Sequence, residues 1–141
     1  MSLQIRGINK SFAGRKGARR ERQYVLRHVD LTVEAGQFVS LIGHSGCGKS
    51  TLLACAAGLV RPDSGEVRLD GVVVDRPGPD RAVVFQHYSL LPRLSLVDNV
   101  RIAARAAHAD RPAAVADDRT ERYLTAVGLW EHKDKIGRAH V

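Results

Sequence analysis

Apolar and polar residues alternate along Leu3-Gln4-Ile5-Arg6-Gly7-Ile8, the two-residue period of a strand with one covered face. Residues 13–23 are polar and basic and read as a loop; residues 24–33 are rich in β-formers, and Glu34-Ala35-Gly36-Gln37 makes a turn. Two strands joined in this way predict an antiparallel layer. Phe38-Val39-Ser40-Leu41-Ile42 is nearly continuous in apolar residues, the mark of a strand covered on both faces. A glycine-rich loop over residues 43–48 follows, then a helix over residues 49–57 with Gly58 near its stop. Arg61-Pro62-Asp63-Ser64-Gly65 is a turn, and residues 66–74 alternate as strand around an Asp70-Gly71 hairpin turn. Pro77-Gly78-Pro79 breaks the chain before a second buried strand, Ala82-Val83-Val84-Phe85. Beyond Pro92 the texture becomes alanine-rich with helical spacing, over residues 96–109 and 117–127, and the helical pattern runs out near Lys135.

At 141 residues, 44% hydrophobic and 26% charged, the chain has the size and composition of one soluble globular domain. Collagen-like, mucin-like and wholly disordered readings are excluded. Apolar runs stay strand-sized, well short of the ~18 residues of a membrane span, and the N-terminus lacks a charged-then-apolar leader pattern. A cytosolic location is the expectation. Cys47 and Cys55 have no CxxC spacing and fit reduced thiols, with Cys55 packed in the core. The formal charge of +7 is concentrated at Arg15, Lys16, Arg19, Arg20 and Arg22, against the single acid Glu21. This stretch reads as a solvated loop tip. With no basic helix face, zinc-finger spacing or aromatic-basic alternation, no nucleic-acid partner is expected.

Gly43-His44-Ser45-Gly46-Cys47-Gly48-Lys49-Ser50 matches G-x-x-x-x-G-K-[ST], the Walker A phosphate loop, and it lies between a buried strand and a helix. A triphosphate presents dense negative charge that must be desolvated and matched. Glycines allow successive backbone N–H groups to curl inward as an anion nest, and the following helix N-terminus adds unpaired N–H groups and its dipole. Lys49 is placed to reach the β- and γ-phosphates, Ser50 to ligate Mg²⁺, and Thr51 to donate to the α-phosphate. His44 lacks a carboxylate partner in sequence and reads as a loop-shaping residue at the solvent edge. Ser45 and Gly46 complete the loop, and Cys47 offers its backbone N–H.

The chain resembles the ATPase subunits of ABC transporters from about residue 2 to about residue 133. The resemblance rests on residues 43–53 (GHSGCGKSTLL), Ala57-Gly58-Leu59, Pro62-Asp63-Ser64-Gly65 and Val84-Phe85-Gln86. Gly43-His44-Ser45-Gly46, residues 77–86, Ser89-Leu90-Leu91-Pro92 and Asp98-Asn99-Val100 are most similar to the nitrate/sulfonate/bicarbonate importer branch, with His44 the nitrate-leaning detail. The resemblance implies an α/β P-loop NTPase domain, present in part: an antiparallel β layer, a partial core sheet with the P-loop helix, and a partial helical subdomain. It implies ATP and Mg²⁺ as ligands and assigns Gln86 to the Q-loop, where an amide contacts Mg²⁺ and the attacking water. Phe12, in Lys10-Ser11-Phe12, matches the aromatic that stacks on adenine, with Tyr24 as its competitor. Implied partners are transmembrane permease subunits, a second ATPase subunit packed head to tail and, indirectly, a substrate-binding protein. The implied location is the cytoplasmic face of the inner membrane, as a peripheral subunit.

The family's signature motif, Walker B run and switch histidine are absent from the sequence. Asp117-Asp118 imitates Walker B but lacks a following glutamate and sits in a helical pattern. Residues 1–135 are therefore expected to be the N-terminal part of a nucleotide-binding domain that cannot hydrolyse ATP by itself. Residues 136–141 are expected to be a non-native tail, because Ile-Gly-Arg-Ala-His-Val is what a common sequencing-adapter string encodes. An inert fragment that at most holds a nucleotide is the alternative function. An unrelated P-loop kinase or switch GTPase is disfavoured by the setting of Gln86 and by the lack of an N-K-x-D motif.

Overall fold

The computed structural model describes residues 1–16, 19–86 and 90–136. Its longest feature is a ribbon of two antiparallel strands, β1 (Leu3–Lys16) and β2 (Arg19–Val33). Residues 13–23, expected as a loop, are instead laddered as far as the Lys16↔Arg19 pair. Polarity marks a loop only where a strand would need an apolar face to cover a core. Backbone pairing needs no apolar face, so the ladder continues regardless.

β1 also pairs with β3 (Ser64–Leu69), and β3 with β4 (Val72–Val73), giving an all-antiparallel sheet in the order β2-β1-β3-β4. The turn at Asp70-Gly71 joins β3 to β4 as expected. Ile5 and Ile8 are three residues apart, yet both are buried. Strict alternation would put them on opposite faces, but β1 carries an extra residue between the Ile5↔Leu31 and Ile8↔Val29 pairs, which restores the phase. Ile5, Ile8, Leu26, Val67 and Val74 form one core with Leu52 and Cys55 of α1 (Lys49–Ala56). Burial pushes the Cys55 thiol up from its ordinary value, which suits a packing role and not a reactive one. The helix stops in a Schellman arrangement, Gly58 N–H to the Cys55 carbonyl at 3.0 Å and Leu59 N–H to the Ala54 carbonyl at 2.9 Å.

Asp63 locks β3 against β1. Its carboxylate accepts from the Ser11 hydroxyl at 2.6 Å, the Ser11 N–H at 2.7 Å and the Lys10 ammonium at 3.2 Å. These donors, the Ser11 hydroxyl foremost, hold its pKa at about 2 against an ordinary 3.8. The charged form is therefore favoured by folding: the contribution is complete above 3.8 and is lost as pH falls towards about 2. Asp63→Asn is expected to lower the melting temperature at neutral pH. Its deficit against the parent should shrink through that acid window in pH-resolved thermal melts.

Two expected strands are not formed. Residues 38–42 and 82–85 carry no strand ladder, and Phe38, Ile42 and Val84 are 93%, 95% and 97% exposed. A strand of a parallel sheet takes its ladder and its cover from neighbours on both sides, and no described segment supplies them. The core sheet expected around the P-loop helix is thus not laddered in this structure, although the antiparallel layer is.

The chain divides into two units, Met1–Val83 and Val84–Val141. In the second, α2 (Leu96–Ala107) packs on α3 (Ala113–Ala126). The first N–H groups of α2 are satisfied: Leu96 and Val97 donate to the Lys135 and Lys133 carbonyls at 2.8 and 2.9 Å, and Asp98 to the Ser95 hydroxyl at 3.2 Å. Arg101 bridges Asp98 and Asp117 at 2.9 and 2.7 Å, so Asp117 is engaged on a helix surface and does not end a strand. The helical pattern does not run on to Lys135. α3 stops at Ala126, ahead of Gly128, and a short 3-10 turn spans Trp130–His132. Ile136 forms an isolated bridge with Ser95, and residues 137–141 of the expected tail lie outside the described residues.

Candidate nucleotide site

The P-loop is seated on β2 by a bulge. Lys10 pairs with Leu26 and Ser11 with Tyr24, so Val25 is the extra residue, and Val25 and Leu26 lie side by side facing the loop. Gly48 rests on both. It has φ 97°, and a Cβ there would fall 2.9 Å from Leu26 Cδ2, 3.0 Å from the Val25 carbonyl oxygen and 3.1 Å from Val25 Cγ1. Only glycine meets both the left-handed backbone and the close approach.

Gly48 is also the N-cap of α1, and no side chain caps it or places an acid in the first turn. The first helical bond runs from Leu52 N–H to the Gly48 carbonyl at 2.9 Å. The leading N–H groups of the helix are thereby left to an external acceptor, which with the dipole favours an anion. Lys49 extends across the loop. Its ammonium donates to the Gly43 and His44 carbonyls at 2.6 and 2.7 Å and lies 3.4 Å from Cys47 Sγ. A phosphate arriving at the helix end would compete for those same ammonium protons. Cys47 N–H donates to the His44 carbonyl over a long 3.4 Å, and His44 Nδ1 is 2.8 Å from the Ser45 carbonyl oxygen. Ser45, Gly46 and Ser50 are exposed and Thr51 is half-buried.

Residues 43–51 are thus gathered into one loop and helix turn. Phe12 and Tyr24 fall on opposite faces of the ribbon. Gln23 shares the face of Val25 by alternation, and Phe12 stands directly opposite Gln23. Phe12 therefore lies on the face that meets Gly48, with Lys10 Nζ 5.4 Å from its ring centre. Tyr24 lies on the other face, in a groove with Asn9, Arg27, Asp63 and Ser64. Gln86 is an exposed residue at a bend in the second unit, and residues 87–89 lie outside the described residues. The Val25–Leu26 seat was not anticipated. Its only sequence signal is a pair of adjacent apolar residues that interrupts the alternation of β2.

A family model described as "ABC transporter" matches residues 26–140. The bicarbonate transport ATP-binding protein CmpD of Synechocystis is 43% identical over 133 residues, covering 94% of this chain and 46% of the relative. The nitrate import ATP-binding protein NrtD of Synechococcus elongatus is 46% identical over 110 residues, covering 78% and 40%. The chain therefore spans about half the length of these relatives or less. Among solved structures, a dimeric post-hydrolysis state of the ATP-binding cassette MJ0796 bound to ADP and Pi superposes with a TM-score of 0.80 at 25% identity, covering 99% of this chain and 63% of that one.

Proposed function

From the premise that this chain belongs to the ABC transporter ATP-binding family, we propose that residues 43–51 bind the triphosphate of MgATP, as part of a subunit that powers uptake of a small anion such as nitrate or bicarbonate. The observation that carries the reading is the Lys49 ammonium held over an uncapped helix N-terminus, hydrogen-bonded to the Gly43 and His44 carbonyls and to Cys47 Sγ, all loop acceptors that a phosphate can replace. Gly43, His44, Ser45, Gly46, Cys47 and Gly48 present the loop backbone. Thr51, half-buried on the first turn of α1, is the proposed donor to the α-phosphate.

Ser50, exposed on the first turn of α1, fits Mg²⁺, which takes few protein ligands and fills its shell with phosphate oxygens and water. When bound, the ion neutralises charge between the β- and γ-phosphates. Gln86 is the second proposed ligand and the residue that orients the attacking water. Transmembrane permease subunits, a second ATPase subunit and a substrate-binding protein are the proposed partners, at the cytoplasmic face of the membrane. Among the described residues no helix is long and apolar enough to cross a membrane.

Face assignment on the ribbon supports Phe12 for adenine stacking. Phe12→Ala is expected to weaken MgATP binding about 10-fold, in line with the usual worth of base–aromatic stacking, and Tyr24→Ala to leave it unchanged. Titration calorimetry on both variants checks this, and the reverse order would move the adenine to the other face. Phosphate release from the 141-residue chain should stay at background while binding persists, because activation of the water needs a carboxylate beyond this Walker A and Q-loop set.

A further inference from the structure

The bulge at Val25 has a second effect, on the opposite face of the ribbon. Strict alternation would align Arg22 and Tyr24 with Leu26. The extra residue instead turns Leu26 into the core and brings Arg27 into line with Arg22 and Tyr24. These three side chains, with Asn9, Asp63 and Ser64, line an open groove of about 520 Å³. The Arg27 guanidinium lies 5.1 Å from the centre of the half-exposed Tyr24 ring. Neither Arg22 nor Arg27 takes part in the ion pairs found among the described residues. Asp63 lines the groove, but its carboxylate is held by Ser11 and Lys10.

The ladder then continues outward from this groove through the Arg15↔Arg20 and Lys16↔Arg19 pairs, and alternation registers Arg15 and Arg20 on the face of Arg22 and Tyr24.

We propose that this face of the β1–β2 ribbon docks on an anionic phospholipid surface. Three features favour a bilayer. The groove is shallow and open, suited to a plane of headgroups and not to an enclosed small molecule. Tyr24 sets an amphipathic ring beside cations, the pairing favoured at headgroup level. Four cations, Arg15, Arg20, Arg22 and Arg27, register on this face, within the size of polybasic segments that hold proteins to acidic leaflets. A nucleic acid would call for a track of stacking rings, and among the described residues Tyr24 is the one aromatic lining the groove. The choice of a membrane over a soluble polyanion rests on the proposed transporter role; the groove and its charge do not.

Flotation of the full chain, cleared by centrifugation, with vesicles of phosphatidylcholine containing phosphatidylglycerol tests the proposal. The chain should float with these vesicles, should not float with phosphatidylcholine alone, and should be released by salt. Replacing both Arg22→Gln and Arg27→Gln should weaken partition on the order of 25-fold, about fivefold per cation. Arg111→Gln with Arg122→Gln, the same charge loss in the second unit, should have little effect. Equal flotation with neutral vesicles, equal loss in the control pair, or displacement from vesicles by short duplex DNA would each overturn it. Loss of MgATP binding in a chain that still floats would count against the nucleotide reading alone.

Discussion

Lys49→Ala is expected to lower the affinity for MgATP on the order of 100-fold while leaving the melting temperature nearly unchanged. The size follows from the chemistry. A charge-assisted hydrogen bond contributes about 1.5–3 kcal/mol, and an ammonium facing two phosphates makes more than one such bond. The fold is spared because the Lys49 ammonium bonds only within its own loop, to Gly43, His44 and Cys47, and to no core residue. Lys49→Arg should not restore binding. The loop is closed around a compact ammonium, 3.4 Å from Cys47 Sγ, whereas a guanidinium is a broad planar fork. Calorimetric titration and a thermal melt on the same preparations separate the two effects. A variant that binds normally would show that the loop carbonyls, and not a phosphate, are the lysine's working partners.

Gly65→Ala is expected to destabilise the first unit by about 2–5 kcal/mol, a large share of the ~5–15 kcal/mol that holds a domain together. Gly65 has φ 81°, and a Cβ there would run into the Gly7 carbonyl oxygen and lie 2.5 Å from that of Arg6. Both obstacles are backbone atoms of the bulged part of β1, between the Arg6↔Glu66 and Asn9↔Ser64 pairs, so relief requires moving the strand itself. Gly71 provides the internal control. It has the same φ of 81° with nothing within 4 Å of the added Cβ, so Gly71→Ala should show backbone strain alone, roughly 1 kcal/mol. Urea unfolding of the two variants should therefore differ by more than twofold in the stability lost. Equal losses would mean that the contact between β3 and β1 is softer than the geometry shows.

Features written in contiguous residues could be read from the chain alone. The P-loop, the α1 helix with its Gly58 stop and the Asp70-Gly71 turn each depend on local periodicity or backbone freedom. Residues 38–42 and 82–85 have the apolar character of covered strands, but a ladder is a property of neighbours and not of the segment. The pairing of residues 13–23 leaves no signal of its own in the sequence, because a backbone ladder requires no apolar periodicity. The seat of Gly48 and the faces of Phe12 and Tyr24 depend on one extra residue at Val25. A bulge flips every side chain beyond it, and no count of spacing places it in advance. The role proposed for Gln86 comes from the family resemblance alone.

Titration of the unaltered chain with ATP, in the presence and absence of Mg²⁺, tests the central claim most directly. Saturable binding that is strengthened by the metal, and that inorganic triphosphate competes away, is the predicted result. Absence of saturable heat up to millimolar MgATP, in a preparation whose thermal melt shows it folded, would contradict the assignment of residues 43–51 as a triphosphate site.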